Sequence, residues 1–447
     1  MHFSKKHYPT GRLYSALCLL LTTCLAFAGN AQQVYHFTYP ANKPGAEKEE
    51  AFFVRYNDGT GFARVLSGIT ITELTLQEEF PLTTSGEPNP DMLYYKVTGA
   101  RKIPGGSTST ETPVFWFRKN NSAEQPYIPW GVKHNTLPDS SGLTHFSLPP
   151  RVLPYASLKN EKELVLRFFT TEDALYKNLF VIKPKGLNAD EAKTRIHLLV
   201  VANTNDNIIG PSCKKDMDRM VNLFKDLALA IGIAPPVVTT ISGADYSKAN
   251  ADKQINALKP DPRDIVVFYY SGHGFRKERD NRKFPYIDLR ANPQQDYNVF
   301  SLNMEDIYNR IKAKPGRLKL VLSDCCNTLV TATNAIGNPI PNPKGFGLLL
   351  SELNYRALLF KPGNYAYLFT AASPGEKATS NNEFGGFFSH FFKVAFENHC
   401  GYFRNNVSWN MLFDEVQRNT IYKAEHTYCA KPYIPENICE QSPIMKQ

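Results

Sequence analysis

The chain carries two different rhythms of hydrophobic and polar positions. From Gln32 to about Lys183 the apolar residues come in short bursts. These are Tyr35, Phe37 and Tyr39; Phe53 to Tyr56; Phe62 to Leu66; Ile69, Ile71, Leu74 and Leu76; Leu93 to Val97; Val114 to Phe117; and Leu164 to Phe169. Bursts with a period of two read as half-buried strands. Asn57-Asp58-Gly59 lies between two of them and is a hairpin signal. Pro- and Gly-rich breaks separate the rest. Short strands with frequent turns predict an all-β, sandwich-like domain over residues 32–183.

The rhythm changes after a Pro- and Gly-containing stretch over 184–194, which reads as a linker. Ile196 to Ala202 is a continuous apolar run. Met217, Met220, Val221, Phe224, Ala228 and Ile231 then recur on one helical face. Further strands are predicted at Val237 to Ile241, Ile265 to Tyr270, Leu318 to Leu322 and Tyr365 to Phe369. Helices are predicted near Ala249 to Leu258, Met304 to Ile311, Phe387 to Phe396 and Met411 to Tyr422. Apolar strands alternating with helices predict a mainly parallel sheet covered on both faces over 195–447. Ligand sites in such sheets lie beyond the C-terminal ends of the strands.

Residues 1–31 have another character. Lys5, Lys6 and Arg12 precede an apolar run from Leu13 to Ala28, and small residues follow it. This is the pattern of a secretory signal peptide, so the mature chain is expected outside the cell or in a periplasm. Leu21-Thr22-Thr23-Cys24 resembles a lipobox only loosely and leaves a lipid anchor as the lesser alternative. No other stretch is long and apolar enough to span a membrane.

The charge of +9 shrinks once the leader is set aside: 48 basic residues then face 42 acidic ones, or +6. The basic residues are scattered apart from Arg276, Lys277, Arg279, Arg282 and Lys283, which read as a solvated loop. A nucleic-acid partner is therefore not expected. Of eight cysteines, two lie in the leader. Export permits two of Cys400, Cys429 and Cys439 to pair. No Cys or His pair has zinc-ligand spacing, so no metal is expected.

The candidate chemistry sits at two strand ends. One strand runs into Tyr270-Ser271-Gly272-His273-Gly274 and the other into Ser323-Asp324-Cys325-Cys326-Asn327. A thiol is a strong nucleophile once deprotonated, and an imidazole can take its proton and later protonate a leaving amine. Glycines beside His273 allow a sharp turn and close approach. The amide of Gly274, with that of the cysteine, would form an oxyanion hole. A lone histidine or cysteine after a strand is most often structural, so the weight lies on the combination.

These motifs resemble the caspase-like peptidases, closest to the metacaspase branch, over about Arg195 to Tyr422. Tyr270-Ser271-Gly272-His273-Gly274 looks like the family's catalytic His motif. Asp324-Cys325-Cys326 looks like its Asp-x-Cys motif, whose last residue is the nucleophile; this selects Cys326 over Cys325. The 53 residues from His273 to Cys326 are close to the caspase spacing of about 50. Thr370-Ala371-Ala372-Ser373-Pro374 followed by Gly385-Gly386-Phe387-Phe388 is also similar. The resemblance implies a six-stranded sheet flanked by helices and a cysteine endopeptidase that requires no cofactor.

It also implies where a substrate side chain goes. Asp216, three residues after Cys213, matches an acidic place in the S1 pocket; Asp324 matches a second, and Ser271 a polar third. Two carboxylates in a partly dry pocket attract Lys or Arg and repel acidic groups, so peptide or protein substrates with a basic P1 residue are expected. In the structural alternative, Ser212 caps the helix and Asp216 serves its first turn.

Two departures matter. Asn327-Thr328-Leu329 follows the nucleophile where metacaspases have His-Ser-Gly. Phe275 to Lys283 is mostly basic where an acidic calcium loop is often found, so the resemblance leaves calcium activation open. Lys344 and Lys377 are candidate self-cleavage sites. Rival readings are a peptidase like legumain or the gingipains, and an inactive caspase-like fold whose β-domain serves binding or adhesion.

Overall fold

The computed structural model describes residues 32–41, 48–56, 60–81, 89, 91–103, 113–120, 127–134, 143–146, 149–153, 155–183, 185–329, 335–336, 350–382, 385–429 and 435–447. The leader, the Asn57–Gly59 turn and Lys344 lie outside these residues. The chain forms two compact units, up to Phe168 and from Phe169 onward.

The described residues of the first unit are mostly β, followed by helical turns. Its strands are β1 (Gln32–Tyr39), β2 (Glu49–Tyr56), β3 (Thr60–Ser67), β4 (Thr70–Glu79), β5 (Met92–Ile103), β6 (Pro113–Lys119), β7 (Tyr127–His134), β8 (Thr144–His145) and β9 (Arg151–Leu153). They form one antiparallel sheet in the order β8-β7-β6-β5-β4-β3-β2-β1-β9. The apolar side chains of this one sheet share a single core. Phe53 of β2 meets Phe115 and Phe117 of β6, with centroids 5.4 and 5.2 Å apart, although three strands separate β2 from β6 in the sheet. Register shifts at Thr75/Leu76 and Trp116/Phe117 add local bends.

One predicted strand is a helix. Residues 164–169 fall largely within α1 (Lys162–Phe168), with Leu164, Val165 and Phe168 buried and Leu166 exposed. That i, i+1, i+4 pattern is the helical period, and the short apolar run hid it. Phe168 packs on Phe52, and its carbonyl accepts from the buried Arg64.

The second unit carries the parallel sheet. Its principal strands are β10 (Ile196–Ala202), β11 (Val237–Ile241) and β12 (Ile265–Ser271). The hairpin pieces β13 (Gly274–Phe275), β14 (Tyr286–Asp288) and β15 (Ser301–Asn303) follow, then β16 (Leu318–Asp324), the short β17 (Ala335–Ile336) and β18 (Tyr365–Thr370). The short β19 (Thr379–Asn381) and β20 (Gly385–Gly386) lead to the terminal β21 (Ile444–Lys446). The main sheet has the order β11-β10-β12-β16-β18-β21, and β21 alone runs antiparallel.

Helices α2 (Gly210–Ile231), α5 (Glu352–Leu359), α6 (Phe387–Cys400) and α7 (Trp409–Glu425) pack on one face with Leu198, Val267, Leu320 and Phe369. Helices α3 (Lys248–Ala257) and α4 (Met304–Lys312) cover the other with Leu199, Val266, Phe268 and Val321. The central strands β12 and β16 are buried on both faces, which is why they read as nearly unbroken apolar runs. Helix α6 is buried on every side, as its run of phenylalanines demands. Among the described residues no helix is long and apolar enough to cross a membrane.

Within the stretch over 184–194, the backbone amide of Lys185 donates to Glu352, Asp190 pairs with Arg317, and the buried Glu191 pairs with Arg356. The basic segment 276–283 is likewise tied down: Lys277 lies over the Tyr286 ring at 4.3 Å and Arg282 pairs with Asp306 at 2.6 Å.

Candidate active site

Register decides how the two motifs meet. In the parallel pair β12–β16, Ser271 lies opposite Asp324. His273 and Cys326 each follow two residues beyond that pair, so both leave the same edge of the sheet from neighbouring strands. The chain at His273 is held by its carbonyl, which accepts from the Tyr270 hydroxyl at 2.7 Å and from the Asp288 amide at 3.0 Å. A side-chain carbon at Gly274 would collide with the Cys326 carbonyl and, at 2.6 Å, with the Cys325 sulfur. Glycine there is what lets the histidine strand close over the cysteine pair.

The His273 ring is anchored by a residue the sequence analysis did not single out. Its Nε2 lies 2.8 Å from Asp206 Oδ2, in the loop between β10 and α2. Asp206 Oδ1 accepts from the amides of Ile208 and Ile209 at 2.8 and 2.9 Å. Burial pushes the Asp206 carboxyl up, but these amides and His273 outweigh it and hold it below the usual range. The only signal available was an acidic residue just past a strand end.

Cys326 is buried, and its Sγ accepts from the Ala378 amide at 3.3 Å. Burial pushes its thiol up, against the pull of the Ala378 amide and Lys377. Such a thiol rests protonated and needs a base to take the proton. Cys325 points into the core with Tyr270 and Val321, and burial pushes its thiol well up.

The predicted substrate residues do converge. Asp216, Ser271 and Asp324 line one pocket with Cys326, joined by Cys213, Ala378 and Ser380. Their carboxylates are not idle. Asp216 accepts from Arg219 at 2.7 Å, Ser271 at 2.9 Å and the Gly386 amide at 2.9 Å. Asp324 accepts from the amide and hydroxyl of Ser389 at 2.9 and 2.7 Å. Burial raises both carboxyls, and beside charged Asp216 the Asp324 carboxyl is pushed up to about 7. Arg219 was missed, although Asp-x-x-Arg is a recognisable i, i+3 helical pair. Ser212 lies inside the first turn of α2 and makes no cap; the helix follows Ile209.

Of the three thiols near the C-terminus, Cys429 and Cys439 form a disulfide, and Cys400 is free and buried in α6.

A six-stranded, two-faced sheet delivering Gly-His-Gly and Asp-Cys-Cys to one edge defines a caspase-like fold. The caspase-domain family model matches residues 197–447, more than half of the chain, and the chain therefore belongs to the caspase family of cysteine-type peptidases. Caspase-1 from Spodoptera frugiperda is among the solved structures that match, with 14% identity and a TM-score of 0.36 over 60% of this chain and 94% of that one. No curated protein matches in sequence.

Proposed function

We propose that the chain is an exported cysteine endopeptidase, nearest to metacaspases, that works through a His273–Cys326 dyad without a cofactor. Cys326 attacks the scissile carbonyl while its proton passes to His273. His273 then returns that proton to the departing amine, and water hydrolyses the thioester. The amides of Gly274 and Cys326 hold the oxyanion. Asp206 keeps the His273 ring oriented through Nε2. Asp216, Asp324 and Ser271 receive a Lys or Arg side chain at P1.

The observation that carries this reading is the register of β12 on β16, which sends both motifs off one sheet edge. The pocket beside Cys326 supports the substrate assignment, since its titratable side chains include two carboxyls. One contact favours a second reading of the pocket. Arg219 already neutralises Asp216, so an uncharged P1 residue such as Asn meets less electrostatic mismatch than it would beside two free carboxylates.

The test is hydrolysis of short fluorogenic peptides with Arg, Lys, Asn or Asp at P1, with calcium and with chelator, using Cys326→Ala as control. Turnover of Arg and Lys peptides that disappears in the variant is the expected result. Turnover confined to Asn peptides keeps the peptidase and rejects the basic-P1 assignment. Absence of turnover on every peptide, also after limited proteolysis, turns the reading toward an inactive fold.

A further inference from the structure

The segment from Ala371 to Thr379 is held on two sides. On one side it meets the cysteine motif. Asn327 donates its amide to the Glu376 carbonyl at 2.9 Å, Gly375 donates to the Asn327 carbonyl at 2.8 Å, and Ala378 donates to Cys326 Sγ at 3.3 Å. On the other side it meets the C-terminal segment. Ser442 donates its amide to Glu376 Oε2 at 2.6 Å and accepts from Ser373 Oγ at 2.9 Å. Gln441, itself buried, accepts from the Thr379 amide at 2.9 Å and donates to the Ala371 carbonyl at 3.2 Å.

That C-terminal segment is in turn fixed by the Cys429–Cys439 disulfide. Two backbone bonds accompany the bridge: Cys429 to Asn437 and Cys439 to Thr427, both at 2.8 Å. The bridge also touches the supported segment directly, with Cys429 Sγ 3.7 Å from Thr379 Oγ1. Thr379 is the residue after Ala378, so the peptide that Gln441 grips adjoins the one that donates to the thiol.

We propose that Gln441, secured by the Cys429–Cys439 disulfide, is a positioning residue that aims the Ala378 amide at Cys326 Sγ. Its side chain bonds the Thr379 amide and the Ala371 carbonyl, and it acts on the reacting sulfur only through them. Its action is to keep one N–H on the thiolate that the dyad must generate, and the disulfide makes that support sensitive to reductant. The inference rests on Cys326 being the nucleophile.

A donor aimed at an anion favours the charged form. Losing it raises the pH at which the thiolate appears by about one unit, roughly tenfold in thiolate at neutral pH. The test follows alkylation of Cys326 by iodoacetamide against pH, read by peptide mass on the full chain, together with kcat on any peptide it cleaves. Gln441→Met removes both hydrogen bonds and keeps the disulfide. Cys429→Ser with Cys439→Ser removes the bridge and keeps Gln441. Wild-type protein before and after mild phosphine reduction is the third comparison.

In all three, the alkylation midpoint is expected to rise by about one unit and kcat to fall about tenfold, with an unchanged far-UV spectrum. Unchanged midpoints overturn the proposal. So does loss of the whole fold on reduction, which makes the bridge a global support. A wild-type chain that alkylates at Cys326 but cleaves no peptide sinks the peptidase reading and leaves the positioning test readable.

Discussion

Arg219 Nη1 lies 2.7 Å from Asp216 Oδ1, three residues apart on α2, and both side chains are buried in or beside the pocket that Cys326 lines. An ion pair taken out of water gains little net stability while intact, but removing one partner leaves a buried charge with nothing to offset it. The pocket therefore carries less negative charge than its two aspartates suggest. One guanidinium thus ties the stability of this part of the fold to the charge of the pocket.

Arg219→Met is expected to destabilise the chain by about 3 kcal/mol, and Asp216→Asn with Arg219→Met by clearly less. Chemical denaturation of the two single variants and the double variant measures the coupling. Additive losses would show that the pair contributes no mutual stabilisation.

Asp206→Asn keeps the shape of the His273 partner and removes its charge. The expected loss is roughly hundredfold in kcat with little change in KM, because the ring is misoriented or held in the wrong tautomer. Steady-state kinetics on the best fluorogenic peptide reads it; an unchanged kcat would remove Asp206 from the machinery.

Gly274→Ala puts a carbon against the Cys326 carbonyl and the Cys325 sulfur. Relief requires β13 to move off the cysteine pair, at about 1–3 kcal/mol. Activity is expected to fall much further than melting temperature, since the Gly274 amide proposed to hold the oxyanion moves with the strand.

Two perturbed acids give opposite pH slopes. Asp324 is pushed up to about 7, first by burial and then by the charge on Asp216. Its native form holds the proton more tightly than the unfolded chain. The contribution is full below about pH 4 and is lost as pH rises through 7, up to about 4 kcal/mol. Asp324→Asn should therefore gain on the wild type between pH 5 and 8 in melting temperature. A constant difference across that range would reject the raised carboxyl.

Glu415 behaves in the other sense. It is buried, yet Arg404 at 2.8 Å and His399 at 3.2 Å overcome the burial and bring it down to about 2. Its contribution is present above about pH 4.5 and disappears as pH falls toward 2, roughly 3 kcal/mol in all. Glu415→Gln should be least stable relative to wild type at neutral pH and approach it in acid.

The strands of the parallel sheet were legible because every position of Ile265–Ser271 and Leu318–Asp324 is buried, so Ile265–Tyr270 and, apart from Lys319, Leu318–Leu322 are filled with apolar and aromatic residues. Gly-His-Gly and Cys-Cys were legible because each follows such a run at once. Residues 164–169 were misread because a short apolar cluster fits both periods, and only the exposure of Leu166 separates them. The terminal strand β21 was missed because three residues carry no period at all.

Local order along the chain was enough to put Gly-His-Gly and Cys-Cys at two strand ends; the choice of Cys326 and the grouping of Ser271 with the two aspartates came from the resemblance to the caspase-like family. Local order could not say that Asp206 holds the His273 ring across 67 residues, or that Gln441 reaches Thr379 across 62. Nor did it show that the acidic pocket is half neutralised from its own helix. Periodicity reports which side of an element is buried, a property each segment carries alone. Which polar groups then face one another depends on strand order, register and loop path, and these are settled only when the whole sheet closes around its core.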